Sequence, residues 1–206
     1  YDVRPELNNA NELRVADAKP TEAVAVADAQ DILKPWILPC ANNFIRDPKK
    51  RHVRPAGNSG GDFPFVQNNF DDGAWENINL PHDWAIKGPF QSGWDSEVGG
   101  GMGRLPVNAV AWYRKKLDLH ASDSGKSIFL DVDGAMSYAM VWLNGKLVGG
   151  WPYGYNSWRL DLTPFVNFGG DNQLAIRLDN PNQSARWYPG GGIYRNVWLV
   201  KTAPVA

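Results

Sequence analysis

Short alternating segments separated by turn residues dominate the chain from Ala111 onward. Apolar and polar residues alternate over 128–133 and again over 173–178, which is the period of a strand with one buried face. Asn144-Gly145 separates two apolar runs, and this dipeptide is the strongest short signal for a hairpin. Such segments recur at intervals of about 8–12 residues. The pattern, which includes no amphipathic helix longer than two turns, predicts an all-β, two-sheet sandwich of the jelly-roll kind.

The first 31 residues differ from the rest. They are rich in Asn, Ala, Asp and Glu, and residues 23–27 form their only apolar run. A segment of this composition buries little apolar surface. We therefore predict a poorly structured, irregular N-terminal arm over 1–31 and one jelly-roll domain over 32–206. Within that domain, 47–52 is predicted to be a solvated charged loop and 57–62 a flexible linker.

Composition excludes several classes of partner. The net charge is −1, from 21 basic and 22 acidic residues, so the chain lacks the basic surface of a nucleic-acid-binding protein. It has no run of about 18 apolar residues, so neither a membrane span nor a membrane partner is predicted. The single cysteine, Cys40, excludes an internal disulfide and leaves the compartment open. Because the chain starts with Tyr1 rather than Met, we expect that a leader or a longer parent has been removed.

The acidic residues do not suggest a catalytic site. Asp71-Asp72 falls in a predicted turn, and Asp131 and Asp133 fall on the outer face of a predicted strand. Neither pair has an evident apolar surrounding that would raise one pKa for general acid catalysis. Surface or turn roles are favoured for both.

The histidines and nucleophiles give the same result. His82 and Asp83 are adjacent, but neighbouring side chains on an extended segment point in different directions. A structural hydrogen bond from His82 to the backbone is therefore favoured over a catalytic dyad. No Cys/His cluster has metal-ligand spacing, and no serine lies in a nucleophile elbow. We predict no catalytic residue, no metal and no cofactor in this chain.

Binding is the better supported hypothesis. Arg186, Trp187 and Tyr188 precede three glycines and an alternating strand, and glycines allow a partner to approach the backbone closely. A second aromatic loop spans 151–158. Aromatic rings stack on the apolar faces of sugars, but the same rings also cap the open ends of sandwiches. The residues alone leave both roles open.

An ordered series of motifs carries a family resemblance over about residues 36–200. The series resembles the N-terminal sugar-binding domain of glycoside hydrolase family 2, most closely that of its bacterial β-galactosidases. The motifs, in order, are Phe70-Asp71-Asp72, Leu80-Pro81-His82-Asp83-Trp84, Gly99-Gly100-Gly101, Ala111-Trp112-Tyr113-Arg114-Lys115, Leu143-Asn144-Gly145, Gly154-Tyr155, Asp179-Asn180 and Arg186-Trp187-Tyr188-Pro189-Gly190-Gly191-Gly192-Ile193-Tyr194-Arg195.

The resemblance implies a galactose-binding-like jelly roll followed by an immunoglobulin-like sandwich and a (β/α)8 barrel. In the family the barrel carries two glutamates that act by the retaining double displacement. Both are expected to lie outside this chain, so it is not expected to hydrolyse a substrate alone. The implied partners are a β-galactoside or related glycan and the C-terminal domains of the same chain, with a homo-oligomer left open. The expected location is the bacterial periplasm or cell exterior, with the cytoplasm left open.

The resemblance also implies a sugar-binding role for three residues. Asn108 matches a family asparagine that hydrogen-bonds the sugar at the non-reducing end. Arg186 stands where several members carry an acidic residue that contacts sugar hydroxyls or a cation, so a donor role is implied here rather than a metal. Tyr188 completes the predicted set.

Three alternatives remain. They are a stand-alone carbohydrate-binding module, the same domain of a β-glucuronidase or β-mannosidase, and a purely structural domain. The arm before Ile32 and the insert over 46–67 have no counterpart in the family pattern, and the sequence assigns them no role.

Overall fold

The chain forms antiparallel β-strands joined by turns and short 3-10 helices. A computed structural model describes residues 2–3, 34–36, 42–84, 86, 110–179 and 190–203. The strands are β1 (Asp2–Val3), β2 (Val110–Lys116), β3 (Ser127–Val132), β4 (Ala139–Leu143), β5 (Lys146–Trp151), β6 (Trp158–Asp161), β7 (Gln173–Asp179) and β8 (Val197–Thr202). The 3-10 helices are Lys34–Trp36, Asn42–Phe44, Pro48–Lys50, Pro64–Val66, Ala121–Asp123 and Thr163–Phe165.

The strands form two sheets that pack face to face. The larger sheet has the order β1-β2-β7-β4-β5, and the smaller sheet has the order β6-β3-β8. Every pairing is antiparallel. The all-β, two-sheet sandwich predicted from the sequence is therefore confirmed. The predicted boundary at residue 31/32 lies outside the described residues.

The core between the sheets follows the period-two pattern of the sequence. Ile128, Leu130 and Val132 of β3 face inward and are almost completely buried, as predicted. They pack in one cluster with Val141 and Leu143 of β4 and with the inward residues of β7, which are Leu174, Ile176 and Leu178.

The predicted hairpin connects β4 and β5. Asn144 and Gly145 have φ angles of +54° and +75°, the left-handed conformations that a two-residue hairpin turn requires. The Asn144 side chain also accepts a hydrogen bond from the Gln173 backbone N–H (2.9 Å) and donates to the Phe165 carbonyl (2.9 Å). The turn residue therefore also links the hairpin to β7.

The outer face of the larger sheet is covered by the insert, which the sequence does not predict. Phe65 and Val66 are buried in a second apolar cluster with Trp112 of β2 and Trp142 of β4. The Phe65 and Trp112 ring centroids lie 5.1 Å apart. The larger sheet is therefore buried on both faces, and all five residues of β4 are buried.

Backbone and amide hydrogen bonds hold the segment 57–62 on the sheet. The Trp142 indole donates to the Ser59 carbonyl (2.9 Å). The Asn58 side chain donates to the Gly145 carbonyl (2.8 Å) and accepts from the Leu147 N–H (2.7 Å). The prediction of a flexible linker here is wrong, because these hydrogen bonds fix the segment against the β4–β5 hairpin. The neighbouring charged loop 47–52 is exposed, as predicted.

Candidate functional site

The three predicted sugar-binding residues, Asn108, Arg186 and Tyr188, lie outside the described residues. The structure does describe the strand ends beside them. Val110, the first residue of β2, is paired with Asp179, the last residue of β7. The segments 87–109 and 180–189 therefore attach to the larger sheet at neighbouring positions. This pairing therefore joins the strand ends next to the segments that hold the predicted sugar-binding residues.

The glycine segment, residues 190–192, lies in the sandwich between two other backbone segments. Gly192 exchanges two hydrogen bonds with Met136 (2.9 and 3.0 Å). On the other side, the N–H groups of His82 and Trp84 donate to the carbonyls of Ile193 (2.8 Å) and Gly191 (2.9 Å). This segment therefore has backbone partners on both sides.

Gly192 is required by this arrangement. Its φ is +132°, and a Cβ atom placed on it would lie 2.4 Å from the His82 carbonyl oxygen and 2.9 Å from the Tyr113 hydroxyl. Side chains rarely adopt that backbone conformation, and no side chain tolerates that contact. At this residue glycine allows a close approach by the chain's own backbone, at the His82 carbonyl, whereas the approach of a binding partner stays a prediction.

His82 and Asp83 have different partners. The Asp83 carboxylate accepts hydrogen bonds from the backbone N–H groups of Gly191 (3.0 Å) and Ile86 (3.3 Å). The His82 ring lies with Nδ1 3.1 Å from the Tyr113 hydroxyl. The Asp83 contact holds the glycine segment through Gly191. This pairing differs from the dyad geometry of a catalytic histidine, in which the carboxylate orients the imidazole.

The aromatic loop at 151–158 lies at the same end of the sandwich. Ser137 and Asp179 exchange backbone hydrogen bonds, and the neighbouring Tyr138 N–H donates to the Pro152 carbonyl (3.0 Å). Trp158 is buried in the core, whereas Tyr153 is 44 % exposed and its ring centroid lies 5.2 Å from that of Tyr155.

The rings of this loop therefore divide between the two roles that the sequence leaves open. Trp158, together with the partly buried Trp151, packs against the core. Tyr153 presents an exposed ring of the kind that stacks on a sugar face. Tyr194 anchors the loop, since its hydroxyl donates to the Gly154 carbonyl (2.8 Å), and burial raises the pKa of that hydroxyl.

The acidic residues have structural partners. Asp131 accepts two hydrogen bonds from Arg159 (2.5 and 2.6 Å), and this guanidinium lowers the pKa of the carboxyl. Asp133 accepts from the Trp198 indole (3.1 Å). Asp71 accepts from the Gly73 N–H (2.9 Å), and Asp72 pairs with Arg114 (2.8 Å). The lowered pKa of Asp131 opposes general acid catalysis, because a general acid needs a raised pKa.

Within the part of the chain that the structure describes, no three His, Cys, Asp or Glu residues are placed to hold a metal ion. Over the same residues, no helix has the length and apolarity to cross a bilayer.

A cleft of about 640 Å³ lies at a different place, along the second half of β2. Its floor is made of core residues from both sheets, including Leu130, Ile176 and Leu199, and its rim includes Glu76 and Lys116. The sequence alone does not predict this cleft.

Comparison with known proteins identifies the domain. Residues 105–188 match the family model described as glycosyl hydrolase 2 galactose-binding domain-like. The chain is 41 % identical over 170 residues to the β-galactosidase BoGH2A of Bacteroides ovatus, and the match covers 81 % of this chain and 20 % of that protein. It is 38 % identical over 141 residues to a putative β-glucuronidase of Formosa agariphila, covering 68 % of this chain and 13 % of that protein.

Solved structures of similar proteins also align with this chain. A β-glycosidase from Bacteroides vulgatus aligns with a TM-score of 0.60 at 33 % identity, over 73 % of this chain and 19 % of that one. A glycosyl hydrolase family 2 member from Bacteroides cellulosilyticus aligns with a TM-score of 0.58 at 38 % identity, over 68 % of this chain and 18 % of that one. The chain thus spans about a fifth or less of the length of these relatives. Residues 105–188 of the chain, which the family model covers, belong to the glycosyl hydrolase 2 galactose-binding domain-like family.

Proposed function

We propose that this chain is the non-catalytic N-terminal domain of a retaining family 2 glycosidase, where it supports a catalytic barrel and completes the sugar subsite of that barrel. The pairing of Val110 with Asp179 carries the proposal. Val110 and Asp179 are the strand ends next to the segments that hold Asn108 and Arg186, and they lie side by side in the larger sheet. Loops held in this way on a scaffold are typical binding elements.

In this proposal the barrel provides both catalytic glutamates, and this chain provides hydrogen bonds to the sugar. Asn108 has an amide that both donates to and accepts from hydroxyls. Arg186 contributes donors, and Tyr188 contributes a ring with a polar tip. The proposed domain needs no cofactor of its own. Its proposed partners are the glycan, the C-terminal domains of the same polypeptide and, in a homo-oligomer, further copies, in the bacterial periplasm or outside the cell.

A β-galactoside is the proposed substrate class, because a relative named β-galactosidase shares 41 % identity over 81 % of the chain. Relatives named β-glucuronidase support the neighbouring alternative. A glucuronide carries a carboxylate, and a guanidinium such as that of Arg186 binds carboxylates well. The two substrates are therefore compared directly in the test.

The test is a hydrolysis assay with the gene-encoded longer polypeptide and with the 206-residue chain. Nitrophenyl β-galactoside, β-glucuronide and β-mannoside are the substrates. We expect the longer polypeptide to hydrolyse the galactoside fastest and the 206-residue chain to release no nitrophenol. Hydrolysis by the 206-residue chain contradicts a non-catalytic role. Faster hydrolysis of the glucuronide than of the galactoside contradicts the proposed substrate class.

A stand-alone carbohydrate-binding module is the second candidate, and the exposed ring of Tyr153 beside Tyr155 favours it. Calorimetric titration of galactose into the 206-residue chain separates the two functions. The subsite-completing role predicts a Kd of about 1 mM or weaker, because most contacts would come from the barrel. A micromolar Kd supports the module.

A further inference from the structure

The outer faces of the two sheets differ. The second apolar cluster, which includes Phe65 and Val66 of the insert, covers the outer face of the larger sheet. On the smaller sheet, Trp198 of β8 is 54 % exposed, and it is the one exposed tryptophan among the tryptophans that the structure describes. A solvated indole costs free energy, which a ligand that covers the ring recovers.

Trp198 lies in a row of three side chains that crosses the outer face of the smaller sheet. In the strand order β6-β3-β8, Trp198 of β8 is paired with Asp131 of β3, and Asp131 is paired with Arg159 of β6. Directly opposed residues share a face, and the alternate residues of β3 fill the core. The row covers two strand spacings, roughly 10 Å, so it forms a strip rather than a small pocket.

The indole of Trp198 is held in place by a neighbour on the same face. Its Nε1–H donates to the Asp133 carboxylate (3.1 Å). The backbone carbonyl of Asp133 accepts in turn from the Arg195 guanidinium (3.2 Å) and from the Ser157 hydroxyl (3.0 Å). A ring that is already oriented loses little conformational freedom when a ligand covers it.

The charged groups around the ring compensate one another. Asp131 and Arg159 form an ion pair (2.5 and 2.6 Å), yet the Arg159 side chain is 56 % exposed. Arg195 is exposed, and Asp133 is partly exposed. These two carboxylates and two guanidiniums carry no net charge. They accept from and donate to hydroxyl groups, as recognition of a neutral polyhydroxyl ligand requires.

We propose that a neutral oligosaccharide binds to the outer face of the smaller sheet, on a surface made of Trp198, Asp131, Asp133, Arg159 and Arg195. One sugar ring stacks on the indole, and hydroxyls of this ring and of the next ring bind the carboxylates and guanidiniums. This Trp198 surface includes none of the three residues predicted to form the sugar subsite. It rests on the proposed function only in the choice of a β-galactoside as the probe.

The composition of the Trp198 surface favours a glycan over a protein as the ligand. The core of a protein–protein interface is depleted of charged residues, whereas four charged side chains surround this single indole. Burying them under a protein incurs a desolvation cost. A glycan leaves them partly hydrated and offers hydroxyls as partners. A second copy of the chain is an outcome that the test detects.

NMR titration of the 206-residue chain tests the proposal. The probe is a β-linked galactotetraose, added to isotope-labelled protein up to about 10 mM, roughly ten times the expected Kd. We expect the indole N–H resonance of Trp198, assigned with Trp198→Phe, to shift saturably with a Kd of about 1 mM, because the surface is open to water. The resonances of the buried indoles of Trp112 and Trp142 should not shift.

A pair of variants separates stacking from general apolar contact. Trp198→Tyr keeps an aromatic ring and should bind within about threefold of the native chain, whereas Trp198→Leu should bind about tenfold or more weakly. Binding by these variants is measured from the backbone amide resonances of Asp131 and Asp133. Phe44→Ala is the control, because Phe44 is an aromatic residue 85 % exposed elsewhere, and it should bind like the native chain.

Three results overturn the proposal. They are the absence of a saturable shift of the Trp198 resonance up to about 10 mM galactotetraose, undiminished binding by Trp198→Leu, and a Trp198 shift that follows protein concentration without the sugar. The last result assigns the surface to a second copy of the chain.

The proposed function fails independently. Galactotetraose binding at Trp198 in a polypeptide without glycosidase activity keeps the Trp198 surface and removes the function. An active glycosidase whose Trp198 resonance does not respond to the sugar does the reverse.

Discussion

Single residues fix the backbone that follows the proposed sugar-binding residues. Gly192 has a conformation and a neighbour, the His82 carbonyl, that exclude every side chain. Asp83 holds the preceding residue through the Gly191 N–H. These two contacts define where the segment after residue 189 re-enters the sandwich.

Replacing Gly192 with alanine should destabilise the chain. The backbone conformation alone costs roughly 1–3 kcal/mol, and displacement of the His82 carbonyl adds to it. Thermal unfolding should show a Tm lower by at least about 3 °C. Gly125→Ala is the control, because Gly125 also has a positive φ but a Cβ there meets no atom within 4 Å. An unchanged Tm for Gly192→Ala contradicts this description of the glycine segment.

Arg114 joins the insert to β2. Its side chain is 2 % exposed, and its guanidinium donates to the Asp72 carboxylate (2.8 Å) and to the carbonyls of Phe65 and Gln67. Methionine at this position keeps most of the volume but leaves these acceptors without the cation.

We expect Arg114→Met to lower the free energy of unfolding by about 2–4 kcal/mol, the range for lost charge-assisted hydrogen bonds in a buried setting. Urea unfolding of the variant and of Arg46→Met, at an exposed arginine, measures the difference. Equal midpoints for the two variants would show that Arg114 does not hold the insert.

At the scale of elements, β8, Lys126 just before β3 and the Ala121–Asp123 helix meet at one buried carboxylate. Asp123 accepts hydrogen bonds from Lys201 (2.5 Å), Lys126 (2.9 Å) and the His120 N–H (3.2 Å). The hydrogen bonds from Lys201 and then Lys126 hold the pKa of Asp123 well below its usual range.

This lowered pKa predicts an acid-sensitive contribution to stability. A carboxyl with a lower pKa in the folded state stabilises the fold above its unfolded pKa of about 3.9 and loses that contribution as the pH falls toward the folded pKa. Thermal unfolding of the native chain should therefore lose more Tm between about pH 5 and 2 than that of Asp123→Asn. Parallel pH profiles for the two proteins contradict the assignment.

The elements differ in how far the sequence predicts them. The hairpin at Asn144-Gly145 and the inward faces of β3 and β7 were predictable, because turn chemistry and period-two alternation are local properties. The second apolar cluster, on the outer face of the larger sheet, was not predictable. Residues 46–75 lack the period-two alternation of a strand. Its only signal is the group of aromatics at 63, 65, 70 and 75, which indicates burial but not the partner surface.

The candidate site was predictable only in part. The three glycines indicate a close approach to the backbone, and at Gly192 the approaching group is the chain's own His82 carbonyl. The roles of Asn108, Arg186 and Tyr188 come from family resemblance and stay predictions, because these residues lie outside the part of the chain that the structure describes. The structure adds the pairing of Val110 with Asp179, which joins the strand ends next to these residues. Sequence alternation cannot predict which strands pair.

At the scale of the whole molecule, the sandwich has two distinct ends of interest. One end carries Val110 and Asp179, the paired strand ends next to the proposed sugar-binding residues. The second half of β2 borders the cleft of about 640 Å³. The chain spans about a fifth or less of the length of the relatives named β-galactosidase and putative β-glucuronidase.

The central claim is that this domain completes a sugar subsite whose chemistry lies elsewhere in the polypeptide, and Asn108→Ala in the longer polypeptide tests it most directly. Loss of a hydrogen bond that tightens in the transition state should lower kcat/KM for the nitrophenyl galactoside by about tenfold or more. Asn69→Ala, at an exposed asparagine that follows the insert over 46–67, should leave kcat/KM unchanged. Identical kcat/KM values for the Asn108→Ala and Asn69→Ala proteins would contradict the claim.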